Sequence, residues 1–128
     1  MKAIPHSPSE GVYASTRDYV HAMEIRDDSR TLYIAGTMGL DPTGSPGSDI
    51  HEQIEFAWNN IRAILVSADM TVDNIVRLTS YLRDPSFADA NAAARVAALN
   101  GRLIPTTVIV VQTLSDDWLV EIEVIAAG

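Results

Sequence analysis

Residues 119–126 read LVEIEVIA, and the fold turns on this octapeptide. Apolar and acidic residues alternate with period two, which a β-strand converts into two different faces. Val120, Ile122, Val124 and Ala126 form one apolar face that must lie against a core. Glu121 and Glu123 project together from the other. Carboxylates on a face that otherwise favours burial belong at a wet edge or in a cleft, because an unpartnered buried charge is costly. The strand is expected from Trp118 to Ala126.

Working back from it, the Ser115-Asp116-Asp117 turn joins a preceding strand, Thr106 to Thr113. From Thr106 to Val111 one side carries Thr106, Val108 and Val110, the other Thr107, Ile109 and Val111. Both sides are largely apolar, the pattern of a strand buried on two faces. Upstream, Asp84-Pro85 supplies a helix cap followed by proline at the first helical position, and Asn100-Gly101 closes the alanine-rich run that ends at Leu99. Ile75 to Leu82 reads as a strand after a turn at Thr71 and Asp73. An earlier helix is capped by Ser48 or Asp49, with Glu52 placed three residues after Asp49 for a capping box. Ile50, Ile54, Ala57/Trp58, Ile61, Ile64/Leu65 and Ala68 recur at steps of three and four, so they are expected to make one stripe against the core. The glycine- and proline-rich residues 39–48 are a loop. Thr31 to Ala35 is a short strand ended by Gly36, Asp27-Asp28-Ser29 a turn, and Tyr19 to Ile25 a strand; residues 1–16, broken by Pro5, Pro8 and Gly11, read as loop.

The order β-β-α-β-α-β-β places both helices on one face of a mixed sheet, an α+β architecture in a single domain over residues 1–128. Two helices cover only one face. The doubly apolar strand therefore needs a second cover, and another copy of the chain is the most economical one.

Composition narrows the function. Seventeen acidic against nine basic residues give a net charge of −8, which repels nucleic acid and anionic membranes. The absence of cysteine excludes disulfides, thiolate catalysis and cysteine-bound metals. The N-terminus MKAIPHSPSEGVY lacks a signal-peptide core, and no run approaches the roughly 18 apolar residues of a membrane span, so a soluble cytoplasmic protein is expected. His6, His21 and His51 lack metal-ligand spacing. No glycine-rich loop links a strand to a helix, and no serine or threonine has a placed histidine. No metal or cofactor is expected.

The segments LYIAGTMGLDPTG, HEQIEFAWNNIRAIL, DNIVRLTSYLRD and LVEIEVIA, taken in order, resemble the YjgF/RidA family of small homotrimeric proteins. The similarity runs from about Tyr19 to Ala126. It implies a chorismate-mutase-like subunit with a sheet of about six strands. Three subunits would pack their sheets into a central barrel, with small-molecule clefts between neighbours. Well-known members hydrolyse reactive imines and enamines such as 2-aminoacrylate to 2-oxo acids and ammonia, without a cofactor. Their arginine, in a Pro-x-Arg-(Ser/Thr)-(Cys/Thr)-Val pattern, grips the substrate carboxylate with two parallel hydrogen bonds. In Ile104-Pro105-Thr106-Thr107-Val108 the Thr-Thr-Val matches, but the arginine's position falls on Pro105, which has neither charge nor N–H.

Other positions carry over one by one. The family's glutamate on the last strand falls on Glu121, where it would position or activate water. Its asparagine in the second helix falls on Asn91 and its tyrosine near the start on Tyr19. Ala35 replaces the serine of its Ser-Gly-Gln segment, and Thr37 the glutamine. The resemblance thus implies a binding cleft of Tyr19, Thr37, Asn91, Pro105, Thr106 and Thr107 around Glu121. Without the arginine, such a cleft should suit a neutral or cationic ligand better than an amino-acid-derived carboxylate.

Two functions stay open, beside a weaker third: a specialised pathway enzyme performing another reaction on the same scaffold, such as a hydrolytic step in degradation or biosynthesis. One is a hydrolase or tautomerase acting on an imine-, enamine- or enol-like metabolite through water activated by Glu121. The other is a non-catalytic ligand-binding or regulatory trimer. Several residues also carry two readings. Arg102 either restores the lost cation or complements the end of the second helix. Asn91, a poor helix former, is either purposeful or a surface residue. Arg77 and Arg83 share a strand face with Thr79 and Tyr81 and could line the trimer surface. Glu123 reads as structural or interfacial, and Trp58 as core.

Overall fold

A computed structural model describes residues 1–27 and 30–128; Asp28 and Ser29, from the expected turn, lie outside the described residues. The elements are β1 (Lys2–His6), β2 (Ala22–Arg26), β3 (Thr31–Met38), α1 (Ile50–Ser67), β4 (Ile75–Leu82), α2 (Ala88–Ala98), β5 (Thr106–Val110) and β6 (Val120–Ala127). Single 3-10 turns, Val72–Asn74 and Pro85–Phe87, precede β4 and α2. The α+β class holds. Among the described residues no helix is long and apolar enough to cross a membrane.

The main sheet has four strands in the order β3-β6-β4-β5, so β6 is central. It runs antiparallel to β3 and β4, while β4 and β5 are parallel across α2. Alternation along β6 works as its sequence demands. Val120, Ile122, Val124 and Ala126 are each at most 1% exposed and join Leu78, Leu82 and Ile34 in the core. The α1 stripe of Ile54, Ala57, Trp58, Ile61 and Leu65 closes the same core from above. Asp49 caps α1 by accepting from the Glu52 N–H at 2.9 Å. Glu52 reaches back one residue further than a capping box requires, to the Ser48 N–H at 2.9 Å.

Four expectations are corrected. Residues 2–6, expected to be loop, form β1, paired only with β2 in a separate two-stranded ribbon. Pro5 is tolerated there because a ribbon has free edges where a missing N–H costs nothing. The expected strand Tyr19 to Ile25 begins only at Ala22 and ends at Arg26. The six strands are consequently split two and four rather than forming one sheet. Third, β3 does not stop at Gly36; it continues to Met38 through a register shift between Ile34 and Thr37. Fourth, β5 ends at Val110 and is an edge strand, with Val108, Ile109 and Val110 between 41% and 53% exposed. Its two-faced apolar pattern does not reflect burial within one chain.

Candidate functional site

Opposite the helices, the sheet presents a second face built by the same alternation. In register, Glu121 of β6 lies between Met38 of β3 and Tyr81 of β4, and Tyr81 in turn opposes Ile109 of β5. One row along, Glu123 opposes Thr79, which opposes Thr107. Two bulges set this face. In β3, three residue steps from Ile34 to Thr37 match two steps on β6. In β4, Ile75 pairs with Ala126 and Arg77 with Ile125, so Val76 is the extra residue and Arg77 turns outward. Bulges commonly re-aim side chains in this way.

Glu121 is half-buried in this face, and its carboxylate makes no hydrogen bond or ion pair among the described residues. It rests against the backbone of Gly36: a Cβ there would stand 2.1 Å from Glu121 Oε1. The close approach of a side chain, rather than backbone conformation, is what glycine accommodates here. Glu123 differs, since Tyr81 donates its hydroxyl to Oε1 at 2.7 Å. That hydrogen bond, then burial and the charges of Glu123 and Glu121, push the Tyr81 phenol above its ordinary value. Arg77 donates from Nη2 to Thr107 Oγ1 at 3.2 Å. A depression of 240 Å³ opens beside these groups, lined by Tyr33, Arg77, Thr79, Glu123 and Ile125.

Of the residues expected in the cleft, only Thr107 shares a sheet face with Glu121 within one chain. Thr106 lies opposite Leu78 on the helix-facing side, and its hydroxyl donates to the Ile104 carbonyl at 3.1 Å. Thr37 pairs with the core residue Ile122 and donates to the Ala35 carbonyl at 2.8 Å. Pro105 is buried; its carbonyl accepts from the Leu78 N–H at 3.2 Å. Tyr19 precedes β2 and stacks edge-on against His21, centroids 5.7 Å apart. Asn91 is not a surface residue. It is 1% exposed, and neither amide atom has a hydrogen-bond partner among the described residues.

The candidate arginines separate clearly. Arg102 is not positioned toward the sheet face; Nη2 donates to the Val72 carbonyl at 2.7 Å, and burial lowers its pKa. Arg83, just past β4, holds the loop before β6 through Thr113, Ser115 and Asp116. Two supporting residues escaped the sequence reading. Gly36 looked like a strand terminator, and nothing local signals that a distant carboxylate occupies its Cβ position. Gln53, 2% exposed, ties the loops flanking α1 and β6 through Gly47, Asp117 and Leu119. Its only signal is a polar residue beside the apolar stripe. Among the described residues no cluster of three or more histidines, cysteines or acids is placed to hold a metal ion.

Comparison with known proteins adds to this geometry. The sequence pattern of the family described as Endoribonuclease L-PSP matches residues 11–128. A RutC family protein of Pyrococcus horikoshii is 38% identical over 99 residues, 74% of this chain and 77% of that one. The RutC family protein YjgH of Escherichia coli is 35% identical over 54 residues, 42% of this chain and 41% of that protein. The 2-iminobutanoate/2-iminopropanoate deaminase of Salmonella typhimurium is 28% identical over 122 residues, 92% of this chain and 93% of the enzyme. Among solved structures, YyfB of Yersinia pestis, a protein of unknown function of the conserved Rid family, superposes with a TM-score of 0.85, at 28% identity and full coverage of both chains.

Proposed function

Because this chain belongs to the Endoribonuclease L-PSP family, also known as YjgF/RidA, we propose that it binds a small polar metabolite at the outer sheet face and there hydrolyses an imine- or enamine-like group or tautomerises an enol-like one. The observation that carries this reading is Glu121. A half-buried carboxylate with no internal partner, seated in a niche that only glycine leaves open, is free to act on a ligand or water. In imine hydrolysis, water adds to the C=N carbon while Glu121 takes one of its protons. For a protonated imine this gives a neutral carbinolamine. The carboxylic acid returns the proton to nitrogen, and as the C–N bond breaks the Glu121 carboxylate takes the proton of the carbinolamine hydroxyl. A carbonyl product and ammonia are released, and ammonia carries that proton away as ammonium. A relative carrying a 2-iminobutanoate/2-iminopropanoate deaminase name over nearly its full length supports this reaction class.

The site is completed by three-fold association. Tyr33 at 76% exposure, the apolar residues of β5 and the separation of Thr37 and Asn91 from Glu121 all favour a neighbouring copy facing this sheet. Light scattering should give three times 13.9 kDa; a stable monomer at micromolar concentration refutes the assembly. The endoribonuclease of the family description is not carried over, because a net charge of −8 opposes a polyanionic substrate.

Glu121→Gln tests the chemistry. The amide keeps the shape and cannot accept the proton, so turnover of an imine substrate should fall at least about a hundredfold with little change in affinity. The alternative is a non-catalytic binder, favoured by the loss of a charge at Pro105. In that case the wild type shows no turnover, and Glu121→Gln lowers ligand affinity only.

A further inference from the structure

On the helix layer, across the sheet from Glu121, α1 and α2 leave a depression of 340 Å³ between them, a volume at the small end of ligand pockets. The α2 wall is bare: Ala90, Ala94, Ala97 and Ala98 offer only methyl groups. The α1 wall is its opposite. His51, Glu55, Trp58 and Arg62 line it at steps of four, three and four, a single ridge of the helix. His51 and Glu55 are exposed and make no hydrogen bond or ion pair among the described residues. Arg62 lies over the Trp58 ring, 6.0 Å from its centroid, and pairs with no carboxylate among them. Trp58 itself is 3% exposed, and its indole N–H has no acceptor among the described residues, although a buried tryptophan normally finds one.

We propose that this groove is a second ligand site, and that it takes a small zwitterion whose ammonium and carboxylate are separated by an apolar stem, the ω-amino-acid class. Glu55 and Arg62 stand two helical turns apart, about 10 Å along the axis. Helical side chains lean toward the N-terminus, so Glu55 reaches toward His51 while the longer Arg62 reaches back over Trp58. The two opposite charges thus serve different ends of the groove. An α-amino acid, with both charges on one carbon, is too short to meet them. A chain of about five methylenes lies along the alanine wall and removes apolar surface from water on both sides. Its carboxylate receives the guanidinium fork and the unused indole N–H. Arg62 can move there because a cation–π contact at an exposed site holds it only weakly. A lone anion would meet Glu55 in the same groove and a net charge of −8 on the chain. A lone cation would leave the indole N–H without an acceptor. A ligand with both ends answers each group.

Three probes of one chain length isolate the two ends: 6-aminohexanoate, hexanoate and hexylamine, titrated into the intact protein by calorimetry and by amide NMR shifts. Wild-type protein should bind 6-aminohexanoate at least about tenfold more tightly than either one-ended probe, with shifts along α1 and α2. Arg62→Gln should remove the preference over hexylamine, and Glu55→Gln the preference over hexanoate. Both side chains are exposed, so both variants should fold. Ala94→Leu, which fills the groove, should weaken all three probes. Glu121→Gln should leave 6-aminohexanoate binding unchanged, which separates this site from the one on the sheet face. Equal binding of the three probes by the wild type overturns the assignment, as does an unchanged preference in folded Arg62→Gln or Glu55→Gln. Wild-type protein that does not bind 6-aminohexanoate at about 10 mM overturns it as well. So do shifts confined to β6 and its neighbours that vanish in Glu121→Gln.

Discussion

The two faces of β6 are made by one octapeptide, and they behave as different materials. Toward the helices, Val120, Ile122, Val124 and Ala126 are sealed in a close-packed core. Toward the other side, Glu121 and Glu123 sit half-buried among Tyr81, Thr79, Arg77 and the open niche at Gly36. Neighbouring residues along the chain are 180° apart in environment. The core face is fixed by dispersion and exclusion of water, which tolerate little volume change. The polar face is open within one chain: Glu123 and Arg77 find hydrogen-bond partners on it, and Glu121 finds none among the described residues.

The largest effect expected is therefore on the core side. Ile122→Ala should cost about 2–5 kcal/mol in chemical denaturation, by lost burial plus a residual cavity, whereas Glu121→Ala should stay within about 0.5 kcal/mol. Similar costs at the two positions would break the distinction between the faces. Next, Gly36→Ala places a methyl where Glu121 Oε1 now lies. The carboxylate is the end of a flexible side chain and can swing away, so the fold should survive. Turnover should drop at least tenfold, because a misplacement of about 1 Å is enough for such a loss; undiminished turnover would remove Gly36 from the site.

A pH experiment sharpens the polar face further. The Tyr81 phenol is held above its ordinary pKa of about 10 by its bond to Glu123. A raised folded pKa means its stabilising contribution is complete below pH 10 and is lost as pH climbs through the folded value. The Tyr81 phenol should thus ionise above its ordinary value in an absorbance titration, and Glu123→Gln should lower that value. The smallest effect lies at the N-terminal segment. Asp18 is depressed by its bond from Thr16 and then by the Arg95 charge. Its contribution is present above about pH 3.9 and fades as pH falls through the lower, folded value. Asp18→Asn should flatten the acid limb of the stability curve; an unchanged limb would mean Arg95 gains nothing from its partner.

Much of the fold was legible because it rests on local periodicity. The α1 stripe, the Asp49 and Asp84 caps, the Asn100-Gly101 stop and the core face of β6 all appear where three-, four- and two-residue spacings put them. The ribbon strand β1 was missed because Pro5 speaks against a strand, and only an unpaired edge makes it acceptable. The site was less legible. Glu121 could be placed on its face by counting, but that Thr37 and Thr106 turn to the helix side depends on register and on the bulge in β3. Asn91 could be placed on a helix, yet its burial depends on what packs over that helix.

From the sequence alone came the α+β class, the two helices, the last strand with its acidic face and the family resemblance. Each of these depends on residue identity or on spacing within one element. The tertiary structure alone decided that Gly36 houses the Glu121 carboxylate, that Tyr81 engages Glu123 and not Glu121, and that Arg77 faces outward past the Val76 bulge to reach Thr107. Those facts join residues 30 to 85 positions apart, and a one-residue slip in register would reverse every one of them.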